Sequence, residues 1–423
     1  MVRRIVFLLV GIGLLLALAG IVLVTLNLRG EDKLPAAPTP FESSQALVER
    51  GRYLALAGNC AGCHTVRGGA PYAGGLGIGT PFGTIFASNL TPDEKNGIGG
   101  WSVDHFWRAI HNGRSKDGHL LYPAFPYPSF TKLKREDSDA LYAYLRTVPR
   151  SDRPNTEHAL RFPYNTQLAL AVWRALSFKP GAFEADPARP AEWNRGAYLV
   201  EGAGHCIACH GARNSLGATQ DQRGLSGGLI PGENWYAPAL TSPREAGVAD
   251  WELQHIVSLL KTGTSPRGSV MGPMADVVWS STQHLSEHDL GAIAQYLRQL
   301  PQEAPPPAPP GPLARDPAVM ARGGGIYAQR CAYCHGDGGE GAPGAYPPLA
   351  GNRSVNMEGA ANLVQILRHG GFLPATAGNP RPYGMPPFGH VLDDEDIAAV
   401  LTYVRGSWGN DAPSVSLAEA MRR

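Results

Sequence analysis

All six cysteines of the 423-residue chain fall into one pattern written three times: Cys60-Ala-Gly-Cys63-His64, Cys206-Ile-Ala-Cys209-His210 and Cys331-Ala-Tyr-Cys334-His335. No cysteine is left over. On a helical turn, residues i, i+3 and i+4 share a face. Two thiols can then bond to the two vinyl groups of one porphyrin as thioethers while the adjoining imidazole ligates its iron. Disulfides suit an exported chain but leave the histidine unexplained, and pairing the motifs into four-ligand zinc sites leaves one over. The spacing therefore predicts three covalently bound haem c groups, held by Cys60, Cys63, Cys206, Cys209, Cys331 and Cys334, with His64, His210 and His335 on the irons.

Self-similarity extends past the motifs, which favours three repeated domains over three sites in one fold. Upstream stand RGRYLALAGNCAGCH, RGAYLVEGAGHCIACH and RGGGIYAQRCAYCH, each read as a short helix that delivers the motif. Downstream stand DALYAYLRTVP, GAIAQYLRQLP and IAAVLTYVRGS, apolar-periodic helices preceded by acidic residues that suit a helix N-terminus. Their tyrosines, Tyr144, Tyr296 and Tyr403, are expected to pack against the first helix. Between these ends lies a middle helix closed by glycine: WSVDHFWRAIHNG, WELQHIVSLLKTG and NLVQILRHGG. This order resembles the class I cytochrome c fold, in which the haem supplies much of the core that so small a domain lacks.

The expected architecture is mainly α, with three tandem class I cytochrome c domains after one N-terminal transmembrane helix. Residues 1–30 would be the anchor and 42–150, 191–301 and 318–410 the three domains. Residues 151–190 would be a connector, whose apolar helix YNTQLALAVWRALSF packs across domains one and two or docks a partner. Residues 302–317 would be a semi-rigid Pro-rich linker.

The anchor rests on Arg3 and Arg4 followed by an uncharged apolar run from Ile5 to Leu26. That run makes about 33 Å of helix, enough to cross a bilayer core. A cleaved signal peptide would have a shorter apolar region and a small-x-small site, which TLNLRGEDK does not offer. The basic start then leaves everything after Leu28 on the periplasmic side of the inner membrane. Lys+Arg 37 against Asp+Glu 36 gives no signal for a nucleic-acid partner.

In the class I fold a second iron ligand comes from a loop after the middle helix, and a methionine there raises the potential. RPYGMPPF offers Met385. SVMGPMADVV offers Met271 and Met274, of which Met274 fits the register better. The same register in the first repeat lands on Phe125 within LYPAFPYPSF, and no methionine occurs between Met1 and Met271. Phenylalanine cannot bind iron, which leaves His119 in the same loop, a water, or no ligand. His111 reads as structural, and His105 as core or surface.

Over nearly its whole length past the anchor, the chain resembles the triheme cytochrome c subunits of membrane-bound alcohol and aldehyde dehydrogenases. The residues that carry the likeness include GGLGIGTPFGTIFASNLTPD, LYPAFPYPSF, AEWNRGAYLVEGAGHCIACHGARN, GPMADVV and YGMPPFG. The resemblance implies a subunit that accepts electrons from a catalytic partner (a quinoprotein, flavoprotein or molybdopterin enzyme) and delivers them to ubiquinone or another respiratory acceptor. Phe125 together with an N-terminal anchor looks more like the cytochromes that accompany molybdenum-containing aldehyde oxidoreductases. No paired carboxylates, nucleophile triad or phosphate loop stands out, so substrate chemistry is expected on another polypeptide. The alternatives are a peroxidase-like haem enzyme using an open first haem, and a cytochrome subunit of a terminal oxidase.

Overall fold

The computed structural model describes residues 2–220, 224–303 and 315–422, so most of the expected linker 302–317 lies outside the described residues. The chain forms two compact units. One takes residues up to 55, 63–184 and 214–218; the other takes 56–62, 185–213 and the chain from 219 on.

In chain order, α1 (Val2–Leu28) is followed by α2 (Gln45–Ala57), the motif helix α3 (Cys60–His64) and the hairpin β1 (Gly77–Thr80) and β2 (Gly83–Phe86). Then come α4 (Val103–Asn112), α5 (Tyr127–Phe130), α6 (Arg135–Leu145), β3 (Ala159–Leu160) and α7 (Gln167–Ser177). β3 pairs antiparallel with β2, Gly83 facing Leu160. Among the described residues α1 is the one helix long and apolar enough to cross a membrane, with mean hydropathy 3.0 over its best window.

The order continues with α8 (Ala191–Tyr198), α9 (Ile207–His210), β4 (Gly228–Leu229), β5 (Tyr236–Ala237) and α10 (Leu253–Thr262). Next are β6 (Thr264–Ser265), β7 (Gly268–Ser269), α11 (Pro273–Ser280) and α12 (Glu287–Arg298). The chain then forms α13 (Pro317–Arg330), α14 (Ala332–His335), α15 (Arg353–Asn356), α16 (Ala361–His369), β8 (Gly371–Phe372), β9 (Gly384–Met385), α17 (Asp394–Arg405) and α18 (Leu417–Ala420).

Local chemistry starts and stops these helices. Ser102 caps α4, its side chain accepting from the His105 amide while the His105 ring accepts from the Ser102 backbone amide. Gly113 ends α4 and Gly263 ends α10, both in the left-handed region at φ 59° and 83°. Ser286 caps α12 and Asp393 caps α17.

One packing device recurs at the close of each repeat. A Cβ added at Gly51 in α2 would stand 1.8 Å from the Ala140 carbonyl oxygen and 2.8 Å from Tyr144 Cβ in α6. Gly196 would meet Ala292 O at 2.0 Å and Tyr296 Cβ at 2.8 Å; Gly323 would meet Ala399 O at 2.2 Å and Tyr403 Cβ at 2.8 Å. The missing side chain lets the first and last helices touch backbone to backbone. The arginine before each glycine closes the pair: Arg50 on Asp137 at 2.6 Å, Arg195 on Asp289 at 2.7 Å and Arg322 on Asp396 at 2.8 Å. The three tyrosines expected against the first helix are there.

With the glycine–alanine contact fixed, the distance to the motif differs between repeats. The arginine precedes the first cysteine by 10, 11 and 9 residues, as the numbers Arg50/Cys60, Arg195/Cys206 and Arg322/Cys331 give. The longest spacing carries a π-helical turn, Leu199–Ala203, directly after α8. Such a turn absorbs an added residue without unravelling the helix.

The helix expected inside 151–190 is present as α7. Its buried side is Leu170 and Arg174, turned to α1 and α4. Asn27 Nδ2 donates to Ala171 O at 3.0 Å, and Arg174 donates to Asn27 Oδ1 at 3.1 Å and Asn112 O at 2.6 Å. Of the two readings of its apolar stripe, packed connector or partner-docking face, the exposure of Leu168, Val172 and Leu176 goes against the first. A buried arginine with backbone carbonyls to satisfy takes that side of the helix instead.

Candidate haem-attachment sites

Each of the three motif histidines sets its Nδ1 against a backbone carbonyl. His64 Nδ1 lies 2.6 Å from Ser88 O, His210 Nδ1 2.7 Å from Pro238 O and His335 Nδ1 3.1 Å from Pro347 O. A carbonyl oxygen only accepts, so Nδ1 carries the hydrogen and Nε2 keeps its lone pair. Burial lowers the pKa of all three rings, against the opposing pull of these carbonyls. Each imidazole is thus held neutral in the one tautomer that ligates iron through Nε2.

Each motif is also tied to the loop that follows it. The amides of Gly74, Gly227 and Gly341 donate to the carbonyls of His64, His210 and His335, each at 2.8 Å. All three glycines have positive φ, 70°, 80° and 66°, which a side chain would disfavour. The loops between histidine and glycine differ in length, so the hydrogen bond marks a common point of return.

Burial pushes the Cys206 thiol up to about 12 and the Cys331 thiol up to about 11, in each case with the second cysteine of the motif adding to it. These sulfurs are held as thiols rather than thiolates. Two thiols and a neutral imidazole with Nε2 available, repeated in each motif, fit a covalently attached haem c.

The expected second ligands fall on different elements. Met385 is in β9, paired with Gly371 of β8 just after α16 and half-buried against the cluster that includes Val364 and Leu367. Met274 is the second residue of α11, packed with Val270, Ala275 and Val278, and Met271 lies in the turn just before it. Phe125 occupies the turn before α5, its ring 5.5 Å from that of Phe130. His119 stands on the hairpin between α4 and that turn, half-exposed, with Nδ1 2.9 Å from Ser115 Oγ and 2.5 Å from Asp117 Oδ1. His111 is buried and stacked on Trp107 at 4.3 Å, and His105 is consumed in the α4 cap.

The sequence reading did not name the three carbonyls, the three return glycines or the arginine–glycine pair. The last had a visible signal: Arg-Gly opens all three upstream segments, and an aspartate precedes alanine by three and tyrosine by seven in all three downstream ones.

The family model for cytochrome c matches residues 48–149, and that for cytochrome c oxidase, cbb3-type, subunit III matches residues 318–404. The chain is 40% identical over 392 residues to the cytochrome c subunit of alcohol dehydrogenase (quinone) from Gluconacetobacter polyoxogenes, covering 89% of this chain and 83% of that protein. It belongs to the cytochrome c subunits of alcohol and other quinone dehydrogenases.

This cytochrome c subunit is also 37% identical to the gluconate 2-dehydrogenase cytochrome c subunit of Pantoea cypripedii, over 91% of this chain and 90% of that one. To the fructose dehydrogenase cytochrome subunit of Gluconobacter japonicus it is 34% identical, over 94% of this chain and 86% of that protein. Covalent haem c follows from the cytochrome c domains. The matched stretches hold the first and third motifs, and Cys206–His210 lies between them.

Proposed function

We propose that the chain is a membrane-anchored electron relay with three haem c groups, one per motif, in three tandem class I cytochrome c domains. The boundaries are 42–150, 191–301 and 318–410, with 151–190 and 302–317 as connector and linker. It would accept electrons from a catalytic dehydrogenase subunit and pass them to ubiquinone or another respiratory acceptor at the inner membrane, with the domains on the periplasmic side. The observation that carries this reading is the shared Nδ1–carbonyl geometry of His64, His210 and His335, which prepares all three rings alike.

Bound haem would supply one-electron redox chemistry. The chain's part is to hold and tune it. The two cysteines of each motif would fix one group covalently, independent of haem affinity. His64, His210 and His335 are oriented by Ser88, Pro238 and Pro347 to present Nε2. Met274 and Met385 would serve as second ligands at the second and third sites, where a thioether raises the potential. For the first site the chain offers His119, whose Nδ1 bond to the Asp117 carboxylate leaves Nε2 available. Phe125 fills the place of the methionine.

The test is the purified complex of this subunit with the dehydrogenase that co-purifies with it. Adding that enzyme's substrate under anaerobic conditions should reduce all the c-type haem, and a soluble ubiquinone analogue should reoxidise it. Haem that stays oxidised with substrate, or peroxide turnover by the isolated subunit, contradicts the relay and favours the haem-enzyme reading.

A further inference from the structure

The apolar stripe of α7 is unexplained by the relay, and three observations say what covers it. The first is its level relative to α1. The apolar run Ile5–Leu26 gives about 33 Å of helix against a hydrocarbon core of about 30 Å. Asn27 therefore falls at the headgroup boundary. The α7 backbone is bonded to this residue through Ala171 O, and Arg174 reaches Asn27 Oδ1 from the same helix. Arg29, two residues on, donates to Phe178 O just past the α7 C-terminus. Whatever depth α1 takes, α7 shares the depth of its last turn.

The second observation is the pattern of exposure. Leu168 and Leu176 are 68% and 71% exposed, with Val172 between them at i+4, and Phe162 just upstream is 81% exposed. Helical spacing of four puts the three aliphatic residues on one face. The third is charge. Residues 158–183 contain Arg161, Arg174 and Lys179 and no aspartate or glutamate. Arg161 and Lys179 are exposed on either side of the stripe. A short helix with an aliphatic face, an exposed aromatic and flanking cations suits an anionic lipid surface.

We infer that α7 is an interfacial helix, with Leu168, Val172 and Leu176 inserted at the headgroup–acyl boundary of the leaflet from which α1 emerges, and Arg161 and Lys179 on lipid phosphates. This rests on the reading that α1 spans the bilayer. α1 and α7 then form a two-point mount. α4 belongs to it too, because Asn112 Nδ2 donates to Gly30 O at 3.0 Å and Arg114 pairs with Glu31 at 2.9 Å. The first repeat is thereby held against the membrane surface rather than hung from a flexible tether.

The experiment uses the complex with full-length subunit in liposomes of phosphatidylethanolamine and phosphatidylglycerol. Spin labels are placed singly at Leu15→Cys, Leu168→Cys, Leu176→Cys and Glu287→Cys, and collision with oxygen and with a water-soluble nickel chelate is compared. Labels at 15, 168 and 176 should collide preferentially with oxygen, 15 more strongly than the other two, and the label at 287 with nickel. Preference for nickel at 168 and 176 with lipid-like behaviour at 15 overturns the inference and leaves the anchor intact. Nickel preference at 15 removes the anchor and the inference together. Equal shielding from both reagents at 168 and 176 in the detergent-solubilised complex means a protein partner covers the stripe, which also overturns the lipid assignment.

Discussion

Arg195 and Asp289 form a two-pronged ion pair, Nε to Oδ1 at 2.8 Å and Nη2 to Oδ2 at 2.7 Å, with the Asp289 side chain only 6% exposed. The pair joins the helix that delivers the second motif to the helix that closes its repeat. Asp289→Asn should therefore cost roughly 1–3 kcal/mol, the range of a charge-assisted hydrogen bond whose partner is left partly buried. The counterpart at Arg322 faces Asp393, Glu395 and Asp396 with its own side chain 43% exposed. Asp396→Asn should cost less than about 1 kcal/mol. Denaturant unfolding of the two variants checks the difference.

Helix α13 contains its own control for the glycine contact. Gly323→Ala would drive a Cβ to 2.2 Å from Ala399 O, whereas a Cβ at Gly325 meets nothing within 4 Å. The first substitution should destabilise by about 1–3 kcal/mol through forced separation of α13 and α17. The second should stabilise by about 0.5–1 kcal/mol, because alanine loses less backbone entropy in a helix. Thermal unfolding of both variants measures the sign change.

Asp93 predicts an acid limb. The amide of Asn96, 2.7 Å from Oδ1, Arg150, 2.8 Å from Oδ2, and the Lys95 amide hold its carboxyl below the ordinary 3.8. A depressed folded pKa means the stability it contributes is fully present above 3.8 and is lost as pH falls through the lower, folded value. Asp93→Asn should flatten the dependence of melting temperature on pH on the acid side of 3.8. A steep limb that survives the substitution assigns the acid sensitivity to other carboxylates.

The ligand assignments predict unequal haems. Met274→Ala and Met385→Ala should each lower the potential of one haem in a redox titration and open that haem to carbon monoxide. Phe125→Met should raise the potential of a third. His119→Gln should lower the absorbance of a low-spin site if His119 is its ligand, and an unchanged spectrum removes His119 from that role.

The motifs and the helix order were legible in the sequence because each has a local signature: Cys and His at helical spacing, apolar periodicity, a closing glycine. What depends on partners far apart in the chain was not. The carbonyls of Ser88, Pro238 and Pro347 lie 24, 28 and 12 residues from their histidines, and a backbone acceptor leaves no mark in the residue type. The π-helical turn at Leu199–Ala203 becomes legible only once Gly196 is anchored on Ala292. The α7 stripe left packing and partner docking both open, because amphipathicity shows that a face is apolar, not what covers it.

Covalent attachment makes each haem a fixed mass increment, so mass spectrometry of the intact, matured chain counts the groups it carries. Three increments are expected in the wild type and two after replacing both cysteines of any one motif, Cys60 and Cys63, Cys206 and Cys209, or Cys331 and Cys334, by alanine. Two or fewer increments in the wild type, or a motif whose loss leaves the mass of bound haem unchanged, would contradict one haem per motif.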